Sequence, residues 1–286
     1  MNQFHHWKIG TINVRTASDD QKLEKCIEEI HNAGLSICAL QETRRLGKGS
    51  GIISSTIENI TNDYEIHWSG HLHKRTHGVS IAIKVDPNIE IIEVTPINAR
   101  LIILDVNVYG CYLKVIGCYA PTEEDSESAK TSFYNLLQKH VRATQENQKV
   151  ICLGDFNATS SAFWYNSSLR ENSVIPDLVV NNNGERFHEF FNTCHLSVLN
   201  TWYNYKRCRR VTWYSPDGVT QKVYDFVLID SWLRQYAKNC RVYRSFDFDS
   251  DHRLVIATLD TPCTKQARYR IRKRKSGCTK FDMNSF

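Results

Sequence analysis

The sequence predicts an α/β fold made of two sheets packed face to face, with helices on their outer faces. Three observations lead there. Strand-like and helix-like periodicities are interspersed along the 286 residues, two helical segments carry apolar residues on one face only, and no internal repeat is present. The chain is long enough to bury a sizeable core, and its 41% hydrophobic and 23% charged content is ordinary for a globular protein.

Trp7 to Val14 reads as the first strand. Asp19 and Asp20 are cap candidates for a helix with Leu23, Cys26, Ile27 and Ile30 at helical spacing, closed by Gly34. Leu35 to Gln41 is a short buried strand. Val79–Val85, Ile89–Val94, Leu101–Val108 and Tyr112–Tyr119 read as a meander of four antiparallel strands, with a tight turn at Gly110. Glu127 to Gln145 is the second strong helix, with Phe133, Leu136, Leu137 and Val141 on one face. Val150 to Leu153 is a strand that runs into Gly154. Glu185 to Cys194 is a further helix, and Val223–Ile229 and Leu254–Leu259 are the closing strands.

The net charge of +5 is unevenly spread. Residues 261–286 hold eight basic side chains and one acid, a tail at +7, which leaves the body at −2. We therefore expect a catalytic domain over 1–260 and a basic tail or linker over 261–286. Within the tail, Ala267 to Lys275 suits a nuclear-localisation or DNA-anchoring segment, or a solvated linker. No apolar run approaches the roughly 18 residues of a membrane span, and the N-terminus lacks a signal-peptide pattern, so an intracellular, nuclear protein without a membrane partner is expected. Ten cysteines without a Cys-x-x-Cys pair read as reduced small hydrophobes.

Several apolar strands end in polar groups. The first delivers Asn13, the second Gln41 and Glu42, and Val150–Leu153 delivers Asp155 and Asn157. Asp251 and His252 stand just before the last strand. Such ends can converge on one rim. Glu42 and Asp251 are hard oxygen ligands suited to Mg2+ (or Mn2+), and Asn13 can add a neutral oxygen. His252 and Asp155 can manage protons near neutral pH, and Asn157 can donate to a phosphate oxygen. Taken singly, each stretch also suits an ordinary turn, cap or solvated loop.

Six segments occur together and in order: Thr11-Ile12-Asn13-Val14, Gln41-Glu42-Thr43, Tyr119-Ala120-Pro121, Gly154-Asp155-Phe156-Asn157, Tyr224-Asp225-Phe226-Val227-Leu228 and Ser250-Asp251-His252. In this the chain resembles the endonuclease/exonuclease/phosphatase superfamily. Asn13-Val14-Arg15-Thr16, Gln41-Glu42-Thr43-Arg44 and Thr212-Trp213-Tyr214-Ser215-Pro216-Asp217-Gly218 make it most similar to the apurinic-type endonuclease domain of non-long-terminal-repeat retrotransposons. The resemblance implies a four-layer α/β sandwich, two mixed β-sheets flanked by helices, and Mg2+-dependent nicking of double-stranded DNA, as in target-site nicking by a retroelement. It also implies a reverse transcriptase fused to the chain or working with it.

By position, Glu42 would be the main metal ligand, helped by Asn13 and Asp251. Asp225 would fix the tautomer of His252, and either His252 or Asp155 would take the proton. Tyr119 and Asn157 would hold phosphate oxygens. Arg15 departs from the pattern, since many relatives carry an aspartate ligand there. Arg15, Arg44, Arg209, Arg210, Trp213 and Lys222 are the DNA-contact candidates, through phosphate pairing and aromatic insertion. The same core motifs also suit a phosphoesterase acting on an inositol phosphate, a lipid or RNA. A domesticated, non-catalytic DNA-binding protein is a further alternative.

Overall fold

The structure is a computed structural model that describes residues 4–57, 60–159 and 179–262. The tail expected over 261–286 lies outside the described residues except for 261–262, which extend the last strand.

Among the described residues, fifteen strands form two large sheets and one small ribbon. The strands are β1 (Phe4–Asn13), β2 (Ile37–Gln41), β3 (Lys48–Ile57), β4 (Ile60–Ser69), β5 (Val79–Lys84), β6 (Ile89–Asn98), β7 (Leu101–Val108) and β8 (Cys111–Tyr119). They continue with β9 (Lys149–Asp155), β10 (Leu196–Val198), β11 (Trp213–Tyr214), β12 (Gln221–Lys222), β13 (Asp225–Asp230), β14 (Ala237–Val242) and β15 (Val255–Pro262). The first sheet runs β14-β15-β1-β2-β5-β4-β3, the second β10-β13-β9-β8-β7-β6, and β11-β12 is a short hairpin.

The α-helices among the described residues are α1 (Asp20–Asn32), α2 (Glu127–Arg142) and α3 (Asn182–Thr193). Each begins at a side-chain cap. Asp19 accepts from Lys22 N, Ser126 from Ala129 N and Asn181 from Gly184 N, which satisfies amides that a helix start leaves free.

Burial explains the layering. Ile9, Ile37, Ala39 and Ile81 of the first sheet meet Ile102, Leu104, Val115, Leu153 and Val227 of the second. On the outer side of the first sheet, Leu23, Cys26, Ile27 and Ile30 of α1 cover Ile12, Cys38, Leu40 and Ala82. On the outer side of the second, Phe133, Leu137 and Phe187 from α2 and α3 cover Ile116, Cys152, Phe226 and Leu228. Central strands are therefore buried on both faces, and their sequences are mostly apolar, with a few polar side chains such as Ser80 and Asn107 among them. This is the expected four-layer α/β sandwich.

The expected four-strand meander is corrected to three. β6, β7 and β8 pair in sequence, but β5 lies between β2 and β4 in the other sheet. The chain changes sheets at Asp86-Pro87-Asn88, where the Asp86 side chain accepts from Asn88 N and Ile89 N bonds Asp86 O. The turn expected at Gly110 is a two-residue hairpin. Tyr109 (φ 53°) and Gly110 (φ 86°) both adopt the left-handed conformation that matches strand twist. The hairpin of β3 and β4 was not anticipated, because Gly49, Ser50, Gly51, Ser54 and Ser55 interrupt any apolar alternation there. β14, an edge strand carrying Lys238 and Arg241, was hidden by the same lack of pattern.

Gly154 is fixed by the register that sets Asp155. It sits opposite Cys118 in the parallel β8–β9 pair, and a Cβ there would stand 2.2 Å from the Cys118 carbonyl oxygen. Gly154→Ala is expected to lower unfolding free energy by about 1–3 kcal/mol. Phe187→Ala, which removes the ring packed against both Phe156 and Phe226, should cost about 3–5 kcal/mol. Urea denaturation followed by circular dichroism measures both.

Candidate active site

Strand direction brings the polar strand ends to one rim. β1 and β2 are parallel with Asn13 opposite Gln41, and β8 and β9 are parallel with Tyr119 opposite Asp155. β13 runs the other way and starts at Asp225, directly opposite Asp155. The loop carrying Asp251 and His252 enters β15, which is antiparallel to β1. Six distant segments thus open onto one edge of the sandwich.

Asn13 is buried and spans the two sheets. Its Nδ2 donates to Glu42 Oε1 at 2.9 Å and to Asp155 Oδ2 at 3.0 Å, while its Oδ1 accepts from Arg15 N. The Tyr119 hydroxyl makes a second bridge, donating to Glu42 Oε1 at 3.0 Å. Glu42 Oε2 accepts from Arg44 Nη2 at 3.1 Å. Burial would raise the pKa of Glu42, but the bonds from Asn13, Arg44 and Tyr119 outweigh it and hold the carboxyl below its ordinary range. Glu42 is therefore a fixed negative charge at neutral pH.

Asp155, Asp225 and His252 form a buried cluster whose ligand-type atoms all lie within 4.8 Å of one another. His252 Nδ1 is 2.8 Å from Asp225 Oδ2, and its Nε2 is 3.8 Å from Asp155 Oδ2. Burial, and then the charge of Asp225, push Asp155 up to about 7. His252, Asn13 and the Asn157 amide pull the other way. For His252, burial favours the neutral ring, yet the charge and hydrogen bond of Asp225, with help from Asp155 and Asp251, raise its pKa to about 9. One acid is thus poised near neutrality beside an imidazole that keeps its proton.

The remaining candidates are placed as follows. Asn157 is held by donation of its Nδ2 to Ala120 O (3.1 Å), and its backbone N–H bonds Asp155 Oδ1. Asp251 Oδ2 accepts from the Trp213 indole at 2.9 Å, and Arg15 Nε lies 3.6 Å from Oδ1. Trp213, expected to reach DNA, is thus tied to the site by its indole N–H and packed beside Tyr224, with part of its ring accessible. Lys222 pairs with Trp213 across the β11–β12 hairpin, and Arg209 is exposed beside Tyr205.

Arg210 is corrected. It is buried, and its guanidinium bonds Tyr205 O and Asn204 Oδ1, so it braces the 204–205 loop and is not offered to a ligand. Trp202, in the same aromatic-rich segment, lies away from the rim group. It stacks under Arg234, whose helical turn (Ser231–Tyr236) follows the far end of β13.

Three supporting side chains were missed. The buried Thr212 hydroxyl accepts from Tyr224 N and Asp225 N, and Asn200 donates to Asp225 O. The Ser250 hydroxyl donates to Asn13 O and accepts from His252 N, joining β1 to the His252 loop. Ser250 stood inside a recognised motif. Nothing in the sequence marks Asn200.

His252 yields a direct check. In the protein kept metal-free with EDTA, NMR titration of the imidazole should show an apparent pKa near 9. Asp225→Asn should return it toward the ordinary imidazole value or below, because burial then acts with less opposition. The linked stability in the parent protein is fully present below the unfolded value of about 6.5 and is lost as pH rises through about 9.

Comparison with known proteins agrees with this architecture. Residues 113–256 match the family model described as endonuclease-reverse transcriptase. The chain is 27% identical over 256 residues to a Bos taurus protein named craniofacial development protein 2 and 26% identical to its Tragulus javanicus counterpart. It spans about two-fifths of the length of each, while 87% of the chain is matched. Among solved structures it is similar to the endonuclease domain of TRAS1, a telomere-specific non-LTR retrotransposon (TM-score 0.60, 13% identity, 89% of this chain and 98% of that one). It is also similar to the AP endonuclease LMAP from Leishmania major (TM-score 0.64, 11% identity, 90% and 88%). An AP endonuclease from Archaeoglobus fulgidus is similar as well (TM-score 0.61, 18% identity, 89% and 100%). The chain belongs to the endonuclease-reverse transcriptase family of the endonuclease/exonuclease/phosphatase superfamily.

Proposed function

We propose that the chain is a divalent-metal-dependent endonuclease that hydrolyses a phosphodiester of double-stranded DNA, leaving a nick. The observation that carries this is the rim itself: an ionised Glu42, an acid near neutrality (Asp155) and a protonated His252, all set by hydrogen bonds between two sheets.

The residues fit a hard cation. Glu42 is anionic, and Asp251 Oδ1 and Asp225 Oδ1 are buried carboxylate oxygens without a hydrogen-bond donor. Glu42 and Asp251 would hold Mg2+ or Mn2+. Asn13 is committed elsewhere: its Oδ1 accepts from Arg15 N and its Nδ2 donates to Glu42 and Asp155, and turning the amide over to offer an oxygen would lose all three bonds. The Asp155–Asp225–His252 group is better suited to protons, because its hydrogen bond from His252 to Asp225 already uses the ring nitrogen. The metal would neutralise phosphate charge and polarise the phosphoryl group.

The chain's own groups supply the rest. Asp155, with a pKa near the working pH, takes the proton from the attacking water as its oxygen bonds phosphorus; the ester P–O bond breaks on the opposite side, and the departing sugar oxygen takes a proton from solvent. The imidazolium of His252, kept charged and oriented by Asp225, donates through Nε2 to a non-bridging phosphate oxygen. Asn157 donates its second Nδ2 hydrogen to the same group as its charge grows, and Tyr119 joins it by turning its hydroxyl away from Glu42 Oε1. The β11–β12 hairpin presents Trp213 and Lys222 beside Asp251, with Arg209 nearby in sequence on the exposed segment before it. This argues for a polyanionic duplex over a small phosphoester. By this reading the chain acts in the nucleus, fused to or accompanied by a reverse transcriptase, with residues 1–260 as its catalytic unit.

Supercoiled plasmid incubated with Mg2+ should convert to open circles, and EDTA should abolish the conversion. Asp155→Ala and His252→Ala should each slow nicking by about 10²–10⁴-fold. No nicking by the parent protein, or nicking by either variant at the parent's rate, would refute the reading. The rate should also climb as pH passes the Asp155 value and decline once His252 loses its proton. A flat profile between pH 6 and 9.5 would contradict those roles.

A further inference from the structure

The two carboxylates at the open side of the rim are built alike. In each, one oxygen is held by a fixed donor: Trp213 at Asp251 Oδ2, and Asn13 with Tyr119 at Glu42 Oε1. In each, the other oxygen faces an arginine: Arg15 at Asp251 Oδ1 (3.6 Å) and Arg44 at Glu42 Oε2 (3.1 Å). The arginines follow the ends of the neighbouring parallel strands β1 and β2, and both hold a left-handed backbone, φ 53° and 54°. The pairs are lopsided. The acids are largely enclosed, at 22% and 19% side-chain exposure, whereas Arg15 and Arg44 are 57% and 42% exposed. The anions are anchored and the cations are free to leave.

We propose that Arg15 and Arg44 are exchangeable counter-ions. They cover the ligand oxygens of Asp251 and Glu42 until a divalent cation arrives, and then swing to the phosphates of the DNA. The inference rests on the metal-site reading above and adds a coupling to it. An ion at these oxygens removes the acceptor that each arginine uses and places two positive charges beside it. Half-exposed ion pairs are weak, so displacement costs little. The released guanidinium groups, exposed at the rim, can pair with phosphates in bidentate fashion. Metal and DNA then strengthen each other's binding, reciprocally.

The exchange makes the two affinities move in opposite directions, which a purely structural role would not do. Mn2+ binding is measured by calorimetry on the full chain, its Arg15→Gln and Arg44→Gln variants and the double variant. Each single variant should bind Mn2+ about two- to fivefold more tightly, since a competing cation is gone. Binding of a short DNA duplex is then followed against salt, in an Asp155→Asn background that prevents cleavage. With Mn2+, each substitution should lower the salt slope by about one. In EDTA the slopes of parent and variants should coincide, because the arginines are then occupied. Unchanged or weaker Mn2+ binding in the variants, or the same slope difference in EDTA as in Mn2+, would overturn the exchange alone. A parent protein that binds no Mn2+ would overturn the metal-site reading beneath it.

Discussion

The site depends on one amide. Asn13 Nδ2 reaches both Glu42 and Asp155, so a single buried donor joins the end of β1 to a carboxylate beside it and to another in the opposite sheet. Hydrogen bonds to charged groups contribute about 1.5–3 kcal/mol each, and a buried carboxylate without its donors costs at least as much. The Tyr119 hydroxyl repeats the connection from the second sheet, and Ser250 fastens the His252 loop to the Asn13 carbonyl. The packing of the two sheets and the arrangement of acids are therefore one constraint. Any slip between the sheets breaks bonds at the rim before it exposes much of the core.

Backbone strain is concentrated at the same place. Arg15, Glu42, Arg44, His77 and Asn157 all have positive φ without being glycine. Side chains in that conformation cost energy unless surrounding contacts dictate it. Here they do. Glu42 leaves β2 between bonds from Val14 N to Gln41 O and from Thr43 N to Gly78 O. Asn157 is clamped by Ala120 and Asn181. The strain aims groups that regular strands would point into one sheet face or the other.

Much of this was legible because strand ends write themselves into sequence. An apolar run that stops at Asn13, at Glu42 or at Asp155 fixes where its polar group emerges, and parallel neighbours then emerge together. The layering was legible because strand and helix periods alternate along the chain and the helices carry apolar residues on one face. Sheet membership was not: the alternation in Val79–Lys84 says that it is a strand but not which edge it joins. Arg210 shows a second limit. A basic residue among aromatics looks like a phosphate contact until its guanidinium is seen buried under the 204–205 loop. Thr212 and Asn200 show a third. Their short side chains satisfy backbone groups of residues that are distant in sequence, and composition holds no trace of such partners.

The β11–β12 hairpin divides cleanly into stem and tip. Its stem is bound to the His252 loop by Tyr214 N to Asp251 O, Arg253 N to Thr212 O and the Trp213 indole. Its tip, residues 215–220, closes on itself through Ser215 N to Thr220 O, Gly218 N to Ser215 O and the Ser215–Asp217 side-chain contact. A tip that asks nothing of the stem can lengthen, shorten or change composition while the acids stay in place. On the endonuclease reading proposed above, mutation can explore new target preferences there without first sacrificing turnover, so descendants of this chain can diverge in where they cut far faster than in how they cut.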